Sequence, residues 1–278
     1  MSARTGPFSE AAPYYVFGRP PYSAELLPTV LAAAGLAGTG HLLDVGCGPG
    51  LLTLELAPGF TAVTALDPEP TMLAEAAARA AAAGITHVRW VEGVAEDLPA
   101  TGIGARGCDL VTFGQSYHWT AGVPVLDSAY DLVADGGALA LIGHRVQGRA
   151  QPAPPRNGLP RIPEDEIRAL IAHYIDDGAA PLPAGATNAA TPSRFVDDVA
   201  ASRFGGSTIV YAPGRADVVR DIESVVAGYY STSFAAPSRF GPRKAAFESA
   251  LRAVLRRHAP DGLFWDWPGD TEIVLATR

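Results

Sequence analysis

The chain has 278 residues, 48% of them apolar, and a formal net charge of −8 at pH 7. This acidic balance argues against nucleic-acid partners, because a protein that wraps a phosphate backbone needs clustered Lys and Arg. No apolar run reaches the about 18 residues of a membrane-spanning helix, and the N-terminal stretch lacks the apolar segment of a secretory signal. The composition therefore predicts a soluble, cytoplasmic protein with a sizeable core and no membrane or nucleic-acid partner.

The N-terminal segment, residues 1–40, predicts two short helices. Pro20 and Pro21 end the first, and Ser23 is placed to cap a second helix over 24–34. We interpret the segment as a helical cover.

The most informative stretch is HLLDVGCGPGLLTLELA, residues 41–57. Its apolar start predicts a strand buried on both faces of a parallel sheet, and its leucine-rich end predicts a helix. Glycines stand at alternate positions between the two, at Gly46, Gly48 and Gly50. Glycine permits a positive φ, and its missing Cβ lets a ligand lie against the backbone. The spacing excludes both the dinucleotide pattern G-x-G-x-x-G and the P-loop, which needs a Gly-Lys-Ser/Thr sequence.

The pattern D-x-G-x-G-x-G from Asp44 to Gly50 resembles motif I of class I S-adenosylmethionine (SAM) dependent methyltransferases. The resemblance implies a Rossmann-like α/β fold. Such a fold has a seven-stranded, mostly parallel sheet with helices on both faces, an antiparallel last strand, and inserted cap or lid segments. It also implies that this loop binds the methionine and ribose parts of SAM, through Asp44, Gly46, Cys47, Gly48 and Gly50. A glycine-rich turn without a ligand is the alternative.

A second strand, AVTALD, ends at Asp67. A carboxylate at this strand tip can accept hydrogen bonds from both hydroxyls of a ribose. The resemblance adds Pro68 and Met72, whose thioether would pack on the adenine. The alternative for Asp67 is an N-cap of a helix over 69–83, and both roles can hold together.

The third strand, HVRWVEG, is followed by Val94-Ala95-Glu96-Asp97-Leu98-Pro99, where the family usually has G-D-A-E-x-L-P across the junction. Val94 replaces the usual carboxylate or hydroxyl that holds the adenine amino group. The backbone near Ala95 and the Glu96 side chain remain as candidates. Glu96 as an ordinary solvated loop acid is equally compatible with the sequence.

The fourth strand and its exit loop are CDLVTFGQSYHW, residues 108–119. In open α/β sheets ligands bind outside the carboxyl ends of the strands, at the switch in strand order. The loop resembles the family form Q-x-x-H-W, which places Gln115 and Ser116 at the cofactor. His118 is a candidate general base, since imidazole titrates near neutrality, or a structural histidine. Trp119 is a candidate wall of the substrate pocket or a shield for the sulfonium.

The N-terminal element Y-x3-R-P-x-Y resembles a branch of small-molecule methyltransferases that includes enzymes resembling trans-aconitate methyltransferase. There the segment folds over SAM, which implies cofactor contacts for Tyr15 and Arg19 and a substrate contact for Tyr22. Tyr14 is a further catalytic candidate. Surface side chains on a covering helix are the alternative.

The remainder predicts a helix over 123–134, a fifth strand over 136–144 and a helix near 163–177. The Pro/Gly-rich stretch over 145–206 reads as an insertion in which substrate choice is made. Further predicted elements are a sixth strand over 207–213, a helix near 242–258, and a C-terminal strand over 272–277. The segment Y-S-x-S resembles the same branch and implies that Tyr229 is catalytic and that Tyr230 and Ser231 bind substrate, with core packing as the alternative.

The two cysteines, Cys47 and Cys108, are expected to be free thiols, and no spacing typical of metal ligands is visible. The chain is thus expected to be one domain of residues 1–278: a helical lid (1–40), a SAM-binding core (41–144), an insertion (145–206) and C-terminal strands and helices (207–278). The predicted function is methyl transfer from SAM to a small molecule by a monomer or homodimer, with oxygen as the favoured acceptor atom and nitrogen or carbon as alternatives. The alternatives are another reaction on a SAM fold, such as cyclisation of SAM or of a bound metabolite, and a SAM-binding protein without catalysis.

Overall fold

The computed structural model describes residues 12–100, 107–145, 152, 158–175 and 192–278. The chain divides into two compact units. The sheet unit consists of residues 22–145, 187–214 and 270–278, and the helical unit of residues 1–21, 146–186 and 215–269. The described parts of the 145–206 insertion are therefore shared between the units, with 158–175 in the helical unit and 192–206 in the sheet unit.

The strands of the described residues are β1 (His41–Val45), β2 (Ala62–Asp67), β3 (Val88–Glu92), β4 (Cys108–Gly114), β5 (Val133–Arg145), β6 (Thr208–Ala212), β7 (Val219–Asp221), β8 (Leu263–Trp265) and β9 (Asp270–Thr277). The helices are α1 (Ala12–Gly18), α2 (Leu26–Ala34), α3 (Leu51–Leu56), α4 (Pro70–Ala82), α5 (Val123–Leu132), α6 (Glu164–Tyr174), α7 (Pro192–Ala201), α8 (Ile222–Tyr230) and α9 (Lys244–His258). Short 3-10 helices lie at 57–59, 95–100, 117–119 and 237–243.

The sheet unit is built on a seven-stranded sheet of described strands in the order β3-β2-β1-β4-β5-β9-β6. Strands β1 to β5 pair in parallel, and β9 runs antiparallel to both β5 and β6. The strand order reverses between β1 and β4, so the loops that follow these two strands meet at the carboxyl edge of the sheet. The Rossmann-like α/β fold with an antiparallel last strand is thereby confirmed.

Each face of this sheet is covered by helices because the central strands are apolar on both sides. One core joins the sheet to α5 and α7 through residues such as Leu126 and Val199. The other joins it to α2 and α3 through residues such as Leu26 and Leu56. Burial of both faces is what holds the strand ends in register and gives the loops a rigid base.

The second helix differs from the sequence prediction at its start. Helix α2 begins at Leu26 after Glu25, without a side-chain cap. The Ser23 hydroxyl instead donates to the carbonyl of Pro213 (2.6 Å), and the Ser23 N–H donates to Thr271 Oγ1 (3.1 Å). Ser23 Oγ also accepts from the N–H of Glu25 (3.1 Å), so this residue holds the turn that leads into α2 while its own proton goes to Pro213. The predicted start at Ala24 is two residues early, and Ser23 is not the N-cap of the observed helix.

The helical unit has its own core, formed where α6, α8 and α9 pack around aromatic side chains. Phe240 and Phe247 stack with ring centroids 4.0 Å apart, and both are fully buried. A two-stranded sheet of β7 and β8 lies in this unit, which the sequence did not predict because each strand has three residues. In the part of the chain that is described, no helix is both long enough and apolar enough to cross a membrane.

Candidate functional site

The glycine loop after β1 adopts a backbone that other residues rarely take. Gly46, Gly48 and Gly50 have φ values of 68°, 53° and 76°. The N–H groups of Gly46 and Cys47 both donate to the carbonyl of Leu66, at 2.8 and 3.0 Å. The loop therefore folds back onto the end of β2, and three left-handed positions make glycine the fitting residue there.

The three glycines differ in what surrounds them. A Cβ added at Gly46 would lie 2.5 Å from Ser116 Cβ, and one at Gly50 would lie 3.2 Å from Ala76 Cβ. These two positions are glycine because neighbouring elements pack against them. A Cβ at Gly48 would meet no described atom within 4 Å. The outer face of Gly48 is therefore open, as expected for a loop whose backbone a ligand approaches.

Asp67 at the tip of β2 holds this loop in place. One carboxylate oxygen accepts from the N–H of Gly48 (2.7 Å) and the other from the N–H of Glu69 (2.9 Å). The side chain is 7% exposed, and its burial raises the pKa of the carboxyl. Each oxygen keeps one acceptor site after these bonds. Helix α4 begins at Pro70 after Glu69, so the alternative that Asp67 is the N-cap of this helix is wrong.

Asp44 supports the loop from below and is fully buried. It accepts hydrogen bonds from the hydroxyls of Thr53 on α3 (2.6 Å) and Thr112 on β4 (2.8 Å). Burial raises the pKa of Asp44 to about 6, although the two hydroxyl bonds lower it. The described contacts of Asp44 join three elements beneath the loop, and its predicted cofactor role stays a prediction.

The exit of β4 lies directly beside the glycine loop. Gln115 has φ 54°, and in the described chain it is the only non-glycine residue with a positive φ. Its N–H donates to the carbonyl of Ile142 on β5 (2.9 Å), and the Ser116 hydroxyl donates to the carbonyl of Val45 on β1 (2.6 Å). A strained conformation of this kind persists only where neighbours fix it, and it is typical of functional sites.

His118 and Trp119 follow in a 3-10 turn, with ring centroids 5.1 Å apart. Both residues are half-buried, and the backbone N–H of Trp119 donates to the carbonyl of Ser116 (3.0 Å). The structure thus brings Gln115, Ser116, His118 and Trp119 together at the carboxyl edge of the sheet, next to Gly46.

The loop after β3 provides the third side of this edge. The Gly93 N–H donates to the carbonyl of Asp67 (3.2 Å), and Val94 is 38% exposed. Glu96 is exposed, and its carboxylate accepts from the N–H of Ala121 (2.9 Å). Glu96 therefore links the exits of β3 and β4.

Three other predicted cofactor residues lie near this edge with different exposure. Pro68 is exposed, Ala95 is half-buried and packs against the sheet core, and Met72 is 2% exposed. A Met72 side chain as buried as this offers little surface to a ligand, so its contact with adenine stays a prediction.

The two cysteines are free thiols, as expected. Cys47 in the loop is 7% exposed, and burial raises its pKa well above the usual value. Burial also raises the pKa of Cys108 to about 12. Both thiols stay protonated at neutral pH, which makes neither of them a nucleophile. Among the described residues no three Cys, His, Asp or Glu side chains are grouped as metal ligands.

Tyr22 lies in the sheet unit, stacked on His144 with ring centroids 5.0 Å apart and an interplanar angle of 19°. Its ring is 8% exposed, and a Cβ at Gly114 would lie 3.3 Å from its hydroxyl. Tyr22 therefore borders the exits of β4 and β5. Sequence reasoning missed His144, because a single histidine late in a strand carries no signal of its partner.

The remaining predicted residues lie in the helical unit. Arg19 stacks on the Tyr15 ring at 4.6 Å and donates to the carbonyl of Ser231 (2.8 Å). Tyr14 packs edge-on against Tyr230, with centroids 5.1 Å apart. These contacts pack the N-terminal helix onto α8.

The segment at the end of α8 is largely core. The Tyr230 hydroxyl donates to Glu248 (3.0 Å), the Ser231 hydroxyl donates to the carbonyl of Gly228 (2.6 Å), and both residues are at most 1% exposed. Burial raises the pKa of Tyr229, which keeps its phenol protonated. Packing accounts for Tyr230 and Ser231 as they stand, and substrate contacts for these residues stay predictions.

The fold, the glycine loop and the carboxylate after β2 are features typical of class I methyltransferase-like α/β proteins. Residues 42–137 match the family described as a methyltransferase domain. The segment that carries the glycine loop and Asp67 thus matches a methyltransferase domain.

Relatives and solved structures agree with this class. An uncharacterized methyltransferase of Mycobacterium tuberculosis is 30% identical over 135 residues, which are 49% of this chain and 51% of that protein. The chain thus spans about half the length of that curated relative. A proposed type II methyltransferase from Anaeromyxobacter dehalogenans has a TM-score of 0.50 at 19% identity, over 94% of this chain and 97% of that one. The [4+2]-cyclase SpnF also has a TM-score of 0.50, at 18% identity, over 92% and 81% of the two chains. Likenesses at these identities establish the fold alone.

Proposed function

We propose that this protein transfers the methyl group of SAM to a small-molecule acceptor. The observation that carries the proposal is the open face of Gly48 directly beside the half-used acceptor oxygens of Asp67. A loop with space at one glycine and packing at its neighbours fits a ligand that lies on the backbone. We take the ligand to be SAM because residues 42–137 match a methyltransferase domain.

Asp67 and Gly48 would hold the cofactor in this proposal. The two free acceptor sites of Asp67 suit the two hydroxyls of a ribose, and the Gly48 backbone leaves room for the ligand. Val94 offers an apolar wall, and the backbone of Ala95 remains for the adenine edge. SAM supplies a methyl group already activated by the positive sulfonium, so the protein has mainly to align the acceptor.

His118 and Trp119 would serve the acceptor side. An imidazole nitrogen of His118 can take the proton of a hydroxyl or amine as that group attacks, which matters most when the acceptor is neutral. The Trp119 ring would shield one side of the acceptor from water. Membership of the branch that resembles trans-aconitate methyltransferase, and the catalytic or binding roles of Tyr14, Tyr15, Arg19, Tyr22 and Tyr229, stay predictions.

The experiment uses SAM with a deuterated methyl group, incubated with the protein and a small-molecule extract of bacterial cells. Mass spectrometry should find a metabolite that gains one labelled methyl, together with an equal amount of S-adenosylhomocysteine. Methylthioadenosine, or an unlabelled isomerised metabolite, would instead indicate a cyclase or another alkyl transfer. SAM binding in calorimetry without any product from a broad set of extracts would refute catalysis.

A further inference from the structure

The turn that carries His118 and Trp119 is too short to fix itself. It is a 3-10 helix of three residues, Tyr117–Trp119, and such turns have weak hydrogen-bond geometry of their own. Its first residue, Tyr117, is 1% exposed and packs edge-on against Phe113 and Phe195, with centroid distances of 5.8 and 5.1 Å. The position of the turn thus depends on how the Tyr117 side chain is held.

The Tyr117 hydroxyl has a specific partner on a distant element. It donates to Asp198 Oδ2 (2.9 Å), in the middle of α7. Arg194 Nε, one turn earlier on the same helix, lies 3.5 Å from the same oxygen. Burial and the bond to Asp198 raise the pKa of Tyr117. The phenol therefore stays a donor, and a charge-assisted bond of this kind is stronger than a neutral one.

The rest of the exit loop packs around this bond. A Cβ at Gly122 would lie 3.7 Å from the Tyr117 hydroxyl and 3.8 Å from Asp198 Oδ2. Thr120 Oγ1 donates to the carbonyl of Tyr117 (2.8 Å) and accepts from the N–H of Gly122 (3.2 Å). Phenylalanine would fill the same space at position 117, so packing alone does not require a hydroxyl there.

We infer that Asp198 is a positioning residue: through Tyr117 it fixes the turn that presents His118 and Trp119 to the acceptor. The inference rests on the proposed function for what the turn does, but not for how the turn is held. Helix α7, which lies in the segment that the sequence analysis interpreted as an insertion, thereby contributes to the reaction.

The test uses Tyr117→Phe, Asp198→Ala and Asp198→Asn, with protein labelled by 5-fluorotryptophan. The ¹⁹F resonance of Trp119, assigned with Trp119→Phe, reports the turn in the ligand-free protein. Tyr117→Phe and Asp198→Ala should shift or broaden this resonance. Asp198→Asn should keep it near its original position, because its amide oxygen still accepts the bond. The matched control is Asp131→Asn, which removes an exposed ion pair to Arg203 elsewhere on the sheet unit and should leave the resonance unchanged.

Two further readouts separate positioning from simple stabilisation. Calorimetry with S-adenosylhomocysteine should give dissociation constants within about threefold of the parent for all variants. With the acceptor found by methyl labelling, Tyr117→Phe and Asp198→Ala should raise KM or lower kcat about tenfold or more, and the double variant should be no worse than either alone.

The ¹⁹F measurement needs no turnover, so it decides the inference even if the proposed reaction fails. Variants that lower the melting temperature but leave the Trp119 resonance unmoved would overturn it, as would an Asp198→Asn variant that behaves like Asp198→Ala. Should Tyr117→Phe not fold, the two Asp198 variants alone still decide between these outcomes.

Discussion

Replacing Asp67 with alanine should damage both the loop and the ligand site, in amounts that can be separated. The carboxylate accepts two backbone N–H groups, from Gly48 and Glu69. Bonds to a charged acceptor contribute about 1.5–3 kcal/mol each, offset in part because alanine also removes a buried charge. We expect the free energy of unfolding to fall by about 2–4 kcal/mol. Loss of two ribose bonds should weaken SAM binding by about 2–4 kcal/mol more, or roughly 30- to 1000-fold.

The assay combines urea unfolding of the ligand-free protein with calorimetric titration of S-adenosylhomocysteine. Asp67→Asn should fall between the parent and Asp67→Ala in stability, because one oxygen remains an acceptor while its amide faces an N–H donor. Glu69→Gln is the matched control, since the Glu69 side chain makes no cap bond, and it should change either quantity by less than about 0.5 kcal/mol. A titration in which Asp67→Ala binds within threefold of the parent would remove the ribose assignment. Lost stability with normal binding would leave Asp67 as a brace of the loop alone.

Four further changes test other parts of the site. Gly48→Val should abolish S-adenosylhomocysteine binding in a folded protein. The control is Gly84→Val, which carries similar backbone strain because Gly84 has φ +69° and equally open surroundings, and it should bind normally. Equal affinities of the two variants would show that the loop is not the cradle. His118→Ala should lower kcat by about 10²–10⁴ and leave S-adenosylhomocysteine affinity unchanged, and unaltered kcat and KM would exclude it from the site. Asp44 has its folded pKa raised to about 6 from 3.8, so its stabilising effect is full below about pH 4 and is lost as the pH rises to about 6. Asp44→Asn should therefore gain about 2.4 kcal/mol in unfolding free energy relative to the parent between pH 4 and pH 7, and a flat difference would contradict that pKa. Gln115→Gly should raise the unfolding free energy by about 1 kcal/mol by relieving the left-handed φ, yet lower turnover; a variant that is more stable and fully active would mean the strain serves no function.

The sheet was predictable because its strands are local patterns. AVTALD gives β2 at its observed bounds, and the run after Cys108 gives β4, since buried parallel strands are continuous apolar segments bounded by turns. The glycine loop was also predictable, because few residues other than glycine adopt a left-handed backbone. These local signals cover the glycine loop and Asp67, the residues that we propose hold the cofactor.

What the sequence did not give are the partners set by tertiary packing. Ser23 looks like a helix cap in its own segment and does accept from the Glu25 N–H, but its bond to the carbonyl of Pro213 could not be read from that segment. Asp198 lies 81 residues beyond Tyr117, and nothing near either residue identifies the other. Helix α7 was not predicted, because its segment follows a Pro- and Ala-rich stretch and its apolar face is set by the sheet it covers. Side-chain hydrogen bonds between residues so far apart in the sequence form only in the folded chain, so the local sequence does not predict them.

The buried thiol of Cys47 can report the opening of the glycine loop without any introduced label site. Cys47 is in the loop, 7% exposed and protonated at neutral pH, so a disulfide reagent can reach it as a thiolate only when the loop opens. When the loop recloses faster than the reagent reacts, the labelling rate divided by that of an unfolded peptide gives the equilibrium constant for loop opening. Cys108, fully buried in β4, serves as an internal clock for global unfolding. Labelling of the unmodified protein thus measures how often the cradle is open. S-adenosylhomocysteine that binds only the closed loop should slow both thiols by about the same factor.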